Sequence, residues 1–369
     1  MSKRRKLLIV LCAFTVCLSA GALFLGIKKP SQAQAQIQKS GAEDFESLMG
    51  RGSPSWSYIQ TKEDFENLRF FKALYDSKKS LLSEKSQREN RIPNTLHLIW
   101  LGPKPFPRES VENVRGWIAK HPGWTINFWT DRERPLPCPG MKLKLVRDFN
   151  FLMLESCYHK TDNYGEKSDV LRYEILYQEG GVYVDHDVKC FKSFDSMNLA
   201  YNFYCGMDMP YMSSLPSCVF PTNNLIGISP GHPILKTCMT SLKKEWDQIE
   251  KDYPGTARDE VLNRVLHRTF LLFGNAIKES NNQEGRQDIV FPAFYFDAPT
   301  EKEAMWAYHL YAGQWFEDES KFEKMVRERL MVITKKSNKL FLVVGAIGAL
   351  NLIGLSILFT LFYKKRHVL

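Results

Sequence analysis

Two long apolar runs at the ends of the chain constrain its architecture most. Residues 7–27 and 340–363 form runs of 21 and 24 residues, and neither run contains Asp, Glu, Lys or Arg. At about 1.5 Å of rise per residue, a helix of either length crosses a hydrocarbon core of roughly 30 Å. The 312 residues between the runs are polar on average and long enough to bury a sizeable core. We therefore predict two transmembrane helices that flank one globular domain.

The formal net charge of +9 is concentrated beside these runs. Twelve cations flank them: Lys3, Arg4, Arg5, Lys6, Lys28, Lys29, Lys335, Lys336, Lys339, Lys364, Lys365 and Arg366. Because these twelve exceed the whole net charge, the rest of the chain is slightly acidic. Lys and Arg at membrane edges meet lipid phosphates, so the pattern predicts membrane lipids as partners and no nucleic acid.

The same cations suggest an orientation in the membrane. Four precede the first run and three follow the second, which favours both tails in the cytoplasm and the domain on the other side. A signal peptide cleaved near residues 33–35 is the alternative for the first run. We predict an integral membrane protein with two spans, in the Golgi or ER membrane of a eukaryote or the inner membrane of a bacterium.

Composition divides the chain into four parts. Residues 1–30 are a basic tail and the first anchor, and residues 335–369 are the second transmembrane helix and a basic tail. Residues 31–91 are polar, with Gly-Ser-Pro at 52–54, and predict a stalk that is helical over 62–79. Residues 92–334 remain as the globular domain.

The start of this domain alternates between strand and helix patterns. An apolar run at 95–101 ends at Gly102-Pro103, as a buried strand does, and is followed by helical spacing over 108–121 and a strand pattern at 125–130. Strand, helix and strand within about 40 residues favour a βαβ unit. Later patterns predict strands at 224–228 and 288–296 and helices at 233–251 and 320–331. The fold class is therefore α/β.

A second unit of this kind carries a pair of carboxylates. Residues 168–178 are helical by pattern, with Ser168 as the N-cap. Gly180-Gly181 ends the helix, and the short strand at 182–184 runs into Asp185-His186-Asp187. Open α/β sheets bind their ligands at the carboxyl ends of strands, so these carboxylates are candidate functional groups.

Asp185 and Asp187 stand at i and i+2, which places both side chains on one face of a regular strand. Two close carboxylates repel each other unless a cation lies between them, and Mg²⁺ or Mn²⁺ suits oxygen ligands and the diphosphate of a leaving group. A solvated turn is the alternative for this pair. Asp169 and Arg172 share a helix face at i and i+3, either as a surface ion pair or as groups that bracket the hydroxyls of a sugar.

The order of these residues resembles a known signature. Residues 168–173, six further residues and then 180–187 are similar to the DXD-containing sugar transferases of glycosyltransferase family 32, which include the inositol-phosphoceramide mannosyltransferases and the initiating α-1,6-mannosyltransferase. Residues 92–93 with 97–102 resemble the opening strand of that family, residues 124–131 its second strand, and His309 with 313–315 its closing segment. The resemblance covers about 92–315.

The resemblance implies a GT-A type, Rossmann-like nucleotide-sugar domain that retains the anomeric configuration. It implies that Asp169, Arg172, Asp185 and Asp187 form the catalytic set. It implies donor contacts from Trp100 at the nucleobase, from Ser168, Asp169, Arg172 and Asp185, and from Trp315 at the phosphates. It also implies a divalent metal, Mn²⁺ or Mg²⁺, held by Asp187, Asp185 and His309.

These observations predict a membrane-anchored hexosyltransferase that takes mannose from GDP-mannose to a lipid or glycan acceptor, such as an inositol-phosphoceramide-like glycolipid. One alternative is a UDP-hexose transferase that modifies protein or surface polysaccharide, and another is an inactive carbohydrate- or lipid-binding module. Two departures from the family pattern bear on this choice. Gln314 stands where Ser is common, and residues 269–274 replace a common Thr-Gly-Pro, which leaves the acceptor side open.

Overall fold

A computed structural model describes residues 44–83 and 89–313 of the chain. Both predicted spans, the predicted helix at 320–331 and Trp315 lie outside these residues. Within residues 44–83 and 89–313, no helix is long and apolar enough to cross a membrane. The two spans and the membrane location therefore stay predictions.

Helices and strands alternate along most of the described chain. The α-helices are α1 (Phe45–Leu48), α2 (Lys62–Lys78), α3 (Arg108–Lys120), α4 (Glu155–Lys160), α5 (Tyr164–Glu179), α6 (Asp195–Ala200), α7 (Pro233–Asp252), α8 (Arg258–Val265) and α9 (Leu272–Ser280). The strands are β1 (Thr95–Ile99), β2 (Thr125–Thr130), β3 (Met141–Leu145), β4 (Gly181–Val184), β5 (Val188–Cys190), β6 (Phe203–Met207), β7 (Pro221–Ile228), β8 (Asp288–Phe291) and β9 (Ala307–His309). A π-helical turn over Leu266–Leu271 joins α8 to α9.

Seven strands form one mixed sheet in the order β3-β2-β1-β4-β7-β6-β8. Strands β1 to β4 are parallel, and β7 runs antiparallel to both of its neighbours, β4 and β6. Strand β8 is parallel to β6, so β7 alone is reversed among the strands of this sheet. The carboxyl ends of the other six strands therefore meet at one edge, where the amino end of β7 also arrives. This mixed sheet confirms the α/β prediction.

The elements around the first strands agree with the sequence patterns. Strands β1 and β2 and helix α3 begin at the predicted residues, and α3 ends one residue before the predicted end. The strand predicted over 288–296 is shorter, because β8 ends at Phe291. Pro292 follows with no N–H to donate, and the chain continues as a 3₁₀ turn over Ala293–Tyr295.

The amino end of α5 differs from the prediction. The helix begins at Tyr164, and its N-cap is Asn163, whose side chain accepts hydrogen bonds from the backbone N–H groups of Gly165 and Glu166. Ser168 therefore lies inside the helix and caps nothing. The pattern placed the start too late because the first turn of α5 has few apolar residues, whereas the cap depends on a polar side chain.

Residues 44–83 pack against the sheet, although they were predicted to belong to a stalk. Helix α2 exists as predicted, but Phe71 and Tyr75 are fully buried, and the Tyr75 ring meets the ring of Phe291 in β8 edge-on at 6.2 Å. The carboxylate of Asp64 accepts hydrogen bonds of 2.8 Å from the backbone N–H of Cys218 and the hydroxyl of Ser217. The stalk prediction rested on the polar average composition of the segment, which does not show the narrow apolar stripe that packs into the core.

Candidate active site

The two aspartates of the DXD sequence follow β4 directly. Strand β4 ends at Val184, the backbone N–H of Asp185 donates to the carbonyl of Asn224 over 2.8 Å, and the chain then turns into β5. Asp185 and Asp187 thus lie in a turn, and the expected side-by-side placement on a regular strand is wrong. Other elements bring their carboxylates together.

The small antiparallel sheet of β5 and β9 supplies the third member of the cluster. Val188 pairs with His309 in this sheet, so His309 lies beside Asp187 although 121 residues separate them in sequence. Nε2 of His309 is 3.4 Å from Oδ2 of Asp187. One ligand atom from each of Asp185, Asp187 and His309 lies within 4.8 Å of the other two.

Asp187 and His309 shift each other's pKa in opposite directions. Burial by itself would raise the pKa of Asp187, but the neighbouring imidazole of His309 outweighs burial and holds that pKa below its usual range. Burial would likewise lower the pKa of His309, whereas the carboxylates of Asp187 and Asp297 raise it well above 6.5. The raised pKa favours a positively charged imidazole beside these carboxylates, and a cation bound at Nε2 would take the place of the Nε2 proton.

The donor set of this cluster fits a divalent metal. Two carboxylates and one imidazole are ligands that Mn²⁺ accepts readily, while Mg²⁺ prefers oxygen alone. Asp187 is only 4% exposed, and a buried carboxylate of this kind is stable only beside a cation or strong hydrogen-bond donors. The residues present are thus consistent with a bound divalent ion.

Arg172 joins helix α5 to the DXD turn. Its Nη2 lies 2.8 Å from Oδ1 of Asp169 and 3.2 Å from Oδ1 of Asp185, and Nη1 donates to the carbonyl of Asn223 over 2.6 Å. The guanidinium also stacks over the ring of Tyr183 at 4.1 Å. Asp169 and Arg172, at i and i+3, thus form a buried ion pair and not a surface one. The pair is buried because β7 and the turn after α8 cover this side of α5.

Asp169 is the buried partner of this arginine. Its carboxylate accepts hydrogen bonds from the side-chain amide of Asn223 over 3.3 Å and from the hydroxyl of Thr269 over 3.4 Å. Burial raises the pKa of Asp169 to about 6, against the opposing charge of Arg172. The carboxylate is anchored from α5, β7 and the π-helical turn.

Trp100 lies where β1 ends, near the middle residue of the DXD sequence. Its indole N–H donates to the carbonyl of Lys104 over 2.9 Å, and its ring meets the rings of Phe106 and His186 edge-on. His186 turns away from the aspartates, with Nδ1 2.8 Å from the hydroxyl of Ser110 in α3. His186 therefore is not grouped with the two carboxylates.

Several polar residues at the site were not predicted. Asn223 and Asn224 lie in β7 and reach the cluster because that strand is reversed. Asp208 follows β6, and Asp297 follows the turn after β8, so both arrive at the same edge as Asp187. Their signal in the sequence was a carboxylate just beyond a buried strand, the same signal as for Asp185.

Residues 107–204 match the protein family described as the glycosyltransferase sugar-binding region containing the DXD motif. This match includes both aspartates of the DXD turn and the pair Asp169 and Arg172. Residues 107–204 of the chain are therefore similar to the sugar-binding region of DXD-containing glycosyltransferases. His309 lies outside the matched residues and joins this DXD site through the fold alone.

Two curated proteins illustrate what this chain is similar to. "Subversion of eukaryotic traffic protein A" of Legionella pneumophila is 29% identical over 217 residues, which cover 54% of this chain and 33% of that protein. "Inositol phosphoceramide mannosyltransferase 3" of Schizosaccharomyces pombe is 28% identical over 159 residues, which cover 43% of this chain and 39% of that protein. The chain thus spans between a third and two fifths of the length of these relatives. Among solved structures, the PaToxG glycosyltransferase aligns with a TM-score of 0.40 and 18% identity over 57% of this chain and 76% of that chain.

The remaining predicted donor residues are Ser168 and Trp315. Ser168 is half-buried in α5, directly before Asp169. Trp315 lies outside the described residues, so the predicted donor contacts of both residues stay predictions. The described chain ends at Gly313, close to the site, since the backbone N–H of Ala312 donates to Oδ2 of Asp187 over 2.5 Å.

Proposed function

We propose that this chain is a DXD glycosyltransferase that moves a hexose from a nucleotide diphosphate sugar to a lipid or glycan acceptor with the help of a divalent metal. The observation that carries the proposal is the convergence of Asp185, Asp187 and His309 beside the buried pair Asp169 and Arg172. A module that only binds sugar does not require a cation site joined to a buried arginine, which disfavours the inactive alternative.

The residues of the site divide between the leaving group and the sugar. Asp187, Asp185 and His309 would hold the metal, which supplies positive charge to the diphosphate as its bond to the sugar breaks. Arg172 places a permanent positive charge beside Asp185, because a buried guanidinium stays ionised at any working pH. Asp169 orients this guanidinium and leaves its second oxygen toward Thr269, on the side where a sugar hydroxyl would bind.

The transfer balances with these groups alone. The acceptor oxygen bonds to the anomeric carbon, the bond from that carbon to the phosphate oxygen breaks, and the nucleoside diphosphate leaves with the electron pair. The departing phosphate takes the acceptor proton, in the retaining manner that the family resemblance implies. The chain therefore needs no second pair of carboxylates at glycosidase spacing.

The names of the relatives support the choice of donor. The fungal proteins in the comparison are inositol phosphoceramide mannosyltransferases, and one relative is named mannosyl phosphorylinositol ceramide synthase. On that basis we propose mannose from GDP-mannose as the transferred sugar and an inositol-containing sphingolipid as the acceptor. The two predicted spans support a lipid acceptor further, since they would keep the domain at a bilayer.

The experiment measures release of nucleoside diphosphate by the full-length chain with GDP-mannose, UDP-glucose, UDP-galactose and UDP-N-acetylglucosamine, each with Mn²⁺, with Mg²⁺ and with EDTA. Phosphatidylinositol-type and ceramide-type acceptors are added in vesicles. Asp187→Asn is the test variant, and Asp247→Asn is its matched control, because Asp247 is an exposed aspartate paired with Lys160. We expect metal-dependent turnover of one donor in the wild type and the control, and at least a 100-fold loss in Asp187→Asn. Turnover in EDTA that equals turnover with Mn²⁺ or Mg²⁺, or full activity of Asp187→Asn, would refute the proposal.

A further inference from the structure

His309 presents its two ring nitrogens to different groups. Nε2 faces Oδ2 of Asp187 at 3.4 Å, on the side of the metal cluster. Nδ1 lies 3.3 Å from Oδ1 of Asp297 and 2.9 Å from the side-chain nitrogen of Asn224, on the side of the sheet. The ring of His309 is only 13% exposed, so water has little access to these contacts.

The position of one proton decides whether His309 can bind a metal. A neutral imidazole carries its proton on one nitrogen only, and a metal on Nε2 requires the proton on Nδ1. A proton on Nδ1 needs an acceptor, and Asp297 is the acceptor within reach. The opposite tautomer would accept from the amide of Asn224 at Nδ1 and would donate from Nε2 to Asp187, which blocks the metal position.

Asp297 is itself fixed by four neighbours, one of which is the hydroxyl of Tyr311, which donates to Oδ1 over 3.3 Å. Its Oδ1 accepts from the side-chain amide of Asn224 over 2.6 Å, its Oδ2 accepts from the hydroxyl of Thr222 over 3.3 Å, and its own backbone N–H donates to the carbonyl of Ala293 over 2.7 Å. Thr222 and Asn224 stand at i and i+2 in β7, so both face this carboxylate. Asp297 is 1% exposed and cannot turn away from His309 without leaving these donors unpaired.

We propose that Asp297 is a positioning residue of the metal centre, which holds the proton of His309 on Nδ1 and thereby keeps Nε2 available to the metal. This inference rests on the proposed metal-dependent function, because it assumes that His309 is a ligand. Carboxylates that orient metal-binding histidines change metal affinity about 10- to 100-fold when they are removed. An asparagine at 297 offers an N–H as readily as a carbonyl, so it no longer selects the tautomer.

The test is the dissociation constant of Mn²⁺ for the full-length chain without donor, measured by calorimetry and by the electron paramagnetic resonance signal of free Mn²⁺. We expect Asp297→Asn to weaken binding about 10- to 100-fold in the wild-type background. In the His309→Ala background, we expect the same change to alter the constant less than twofold, because the residue acts through His309. Equal effects in both backgrounds, or no effect in the wild type, would overturn the inference.

A matched control separates positioning from stability. Asp288 is a fully buried aspartate that lies 3.0 Å from Nε2 of His232, away from the DXD turn, so Asp288→Asn removes the same kind of pair. We expect it to lower the melting temperature and leave the Mn²⁺ constant unchanged; an equal loss of Mn²⁺ binding there would overturn the inference. Unchanged Mn²⁺ binding in both Asp187→Asn and His309→Ala would instead show that the proposed metal centre itself is wrong.

A measurement on the unaltered chain keeps the inference testable even where Asp297→Asn fails to fold. Nitrogen-15 spectra of the histidine side chains with Cd²⁺, a diamagnetic ion of similar size, report which ring nitrogen is protonated. We expect Nδ1 of His309 to be protonated and Nε2 to be shifted by the metal. An unprotonated Nδ1 in the metal-bound protein would overturn the assignment.

Discussion

Arg172 in helix α5 donates from Nη2 to Oδ1 of Asp185 over 3.2 Å, and so ties the helix to the first aspartate of the DXD turn. The two residues are 13 apart in sequence, and the Gly180-Gly181 reversal folds β4 back along the helix between them. The arginine thus contacts both Asp169 in the helix and Asp185 in the turn.

The first prediction concerns this arginine and its other partner. Arg172→Met leaves the buried carboxylate of Asp169 without its cation, so we expect the free energy of unfolding to fall by about 3–5 kcal/mol and turnover to be lost. Adding Asp169→Asn removes the unpaired charge, and we expect it to restore part of the stability but none of the turnover. Urea unfolding and diphosphate release measure the two effects. A double variant no more stable than Arg172→Met would show that the charge is not the cause.

The second prediction concerns the backbone before the DXD turn. Gly181 has a φ of 99°, and a Cβ there would lie 2.6 Å from the carbonyl oxygen of Thr95 in β1. Gly123 has a similar φ of 90°, but a Cβ there would meet no atom within 4 Å, which makes Gly123→Ala the matched control. We expect Gly123→Ala to lower the free energy of unfolding by about 1–3 kcal/mol through backbone strain alone, and Gly181→Ala to lower it further. Equal losses in urea unfolding would contradict the close approach of β4 to β1.

The third prediction tests whether residues 44–83 belong to the domain. Phe71 in α2 is fully buried, while Phe65 in the same helix is 46% exposed. We expect Phe71→Ala to lower the free energy of unfolding by about 3–5 kcal/mol and Phe65→Ala by much less, because only the first leaves a cavity. Thermal and urea unfolding of the full-length chain compare the two. Similar small losses in both variants would mean that α2 does not support the core.

The fourth prediction is a pH dependence. Burial and the charge of Asp297 raise the pKa of Asp208 from 3.8 to about 7. Between pH 3.8 and pH 7 the carboxyl of Asp208 keeps its proton in the folded state but loses it in the unfolded state. The contribution of this proton to the free energy of unfolding is therefore lost as the pH rises toward 7. Asp208→Asn has no such proton, so we expect its free energy of unfolding relative to the wild type to rise by up to about 3 kcal/mol from pH 5 to pH 8. Unfolding in EDTA at each pH measures this difference, and parallel pH profiles would refute the assignment.

Local spacing predicted much of what this chain contains. Apolar periodicity predicted β1, β2, α3 and most of α5, because each of these elements depends on the spacing of apolar residues within one short stretch of sequence. The pair Asp169 and Arg172 follows from helix geometry for the same reason. The patterns missed the start of α5, because a single polar side chain, Asn163, caps it. They also missed the packing of α2, because its apolar stripe is sparse.

The sequence by itself determined the α/β class, the family signature and the four polar residues of the DXD region, since all of these depend on neighbours in the chain. The family resemblance placed His309 in the metal site, but only the tertiary structure decided that His309 contacts Asp187 on one side and Asn224 and Asp297 on the other. Each comes from a different part of the sequence, and they meet because β5 and β9 pair in one register while β7 runs against the rest of the sheet. Pairing between distant strands is set by the packing of the whole domain, and no local pattern records it.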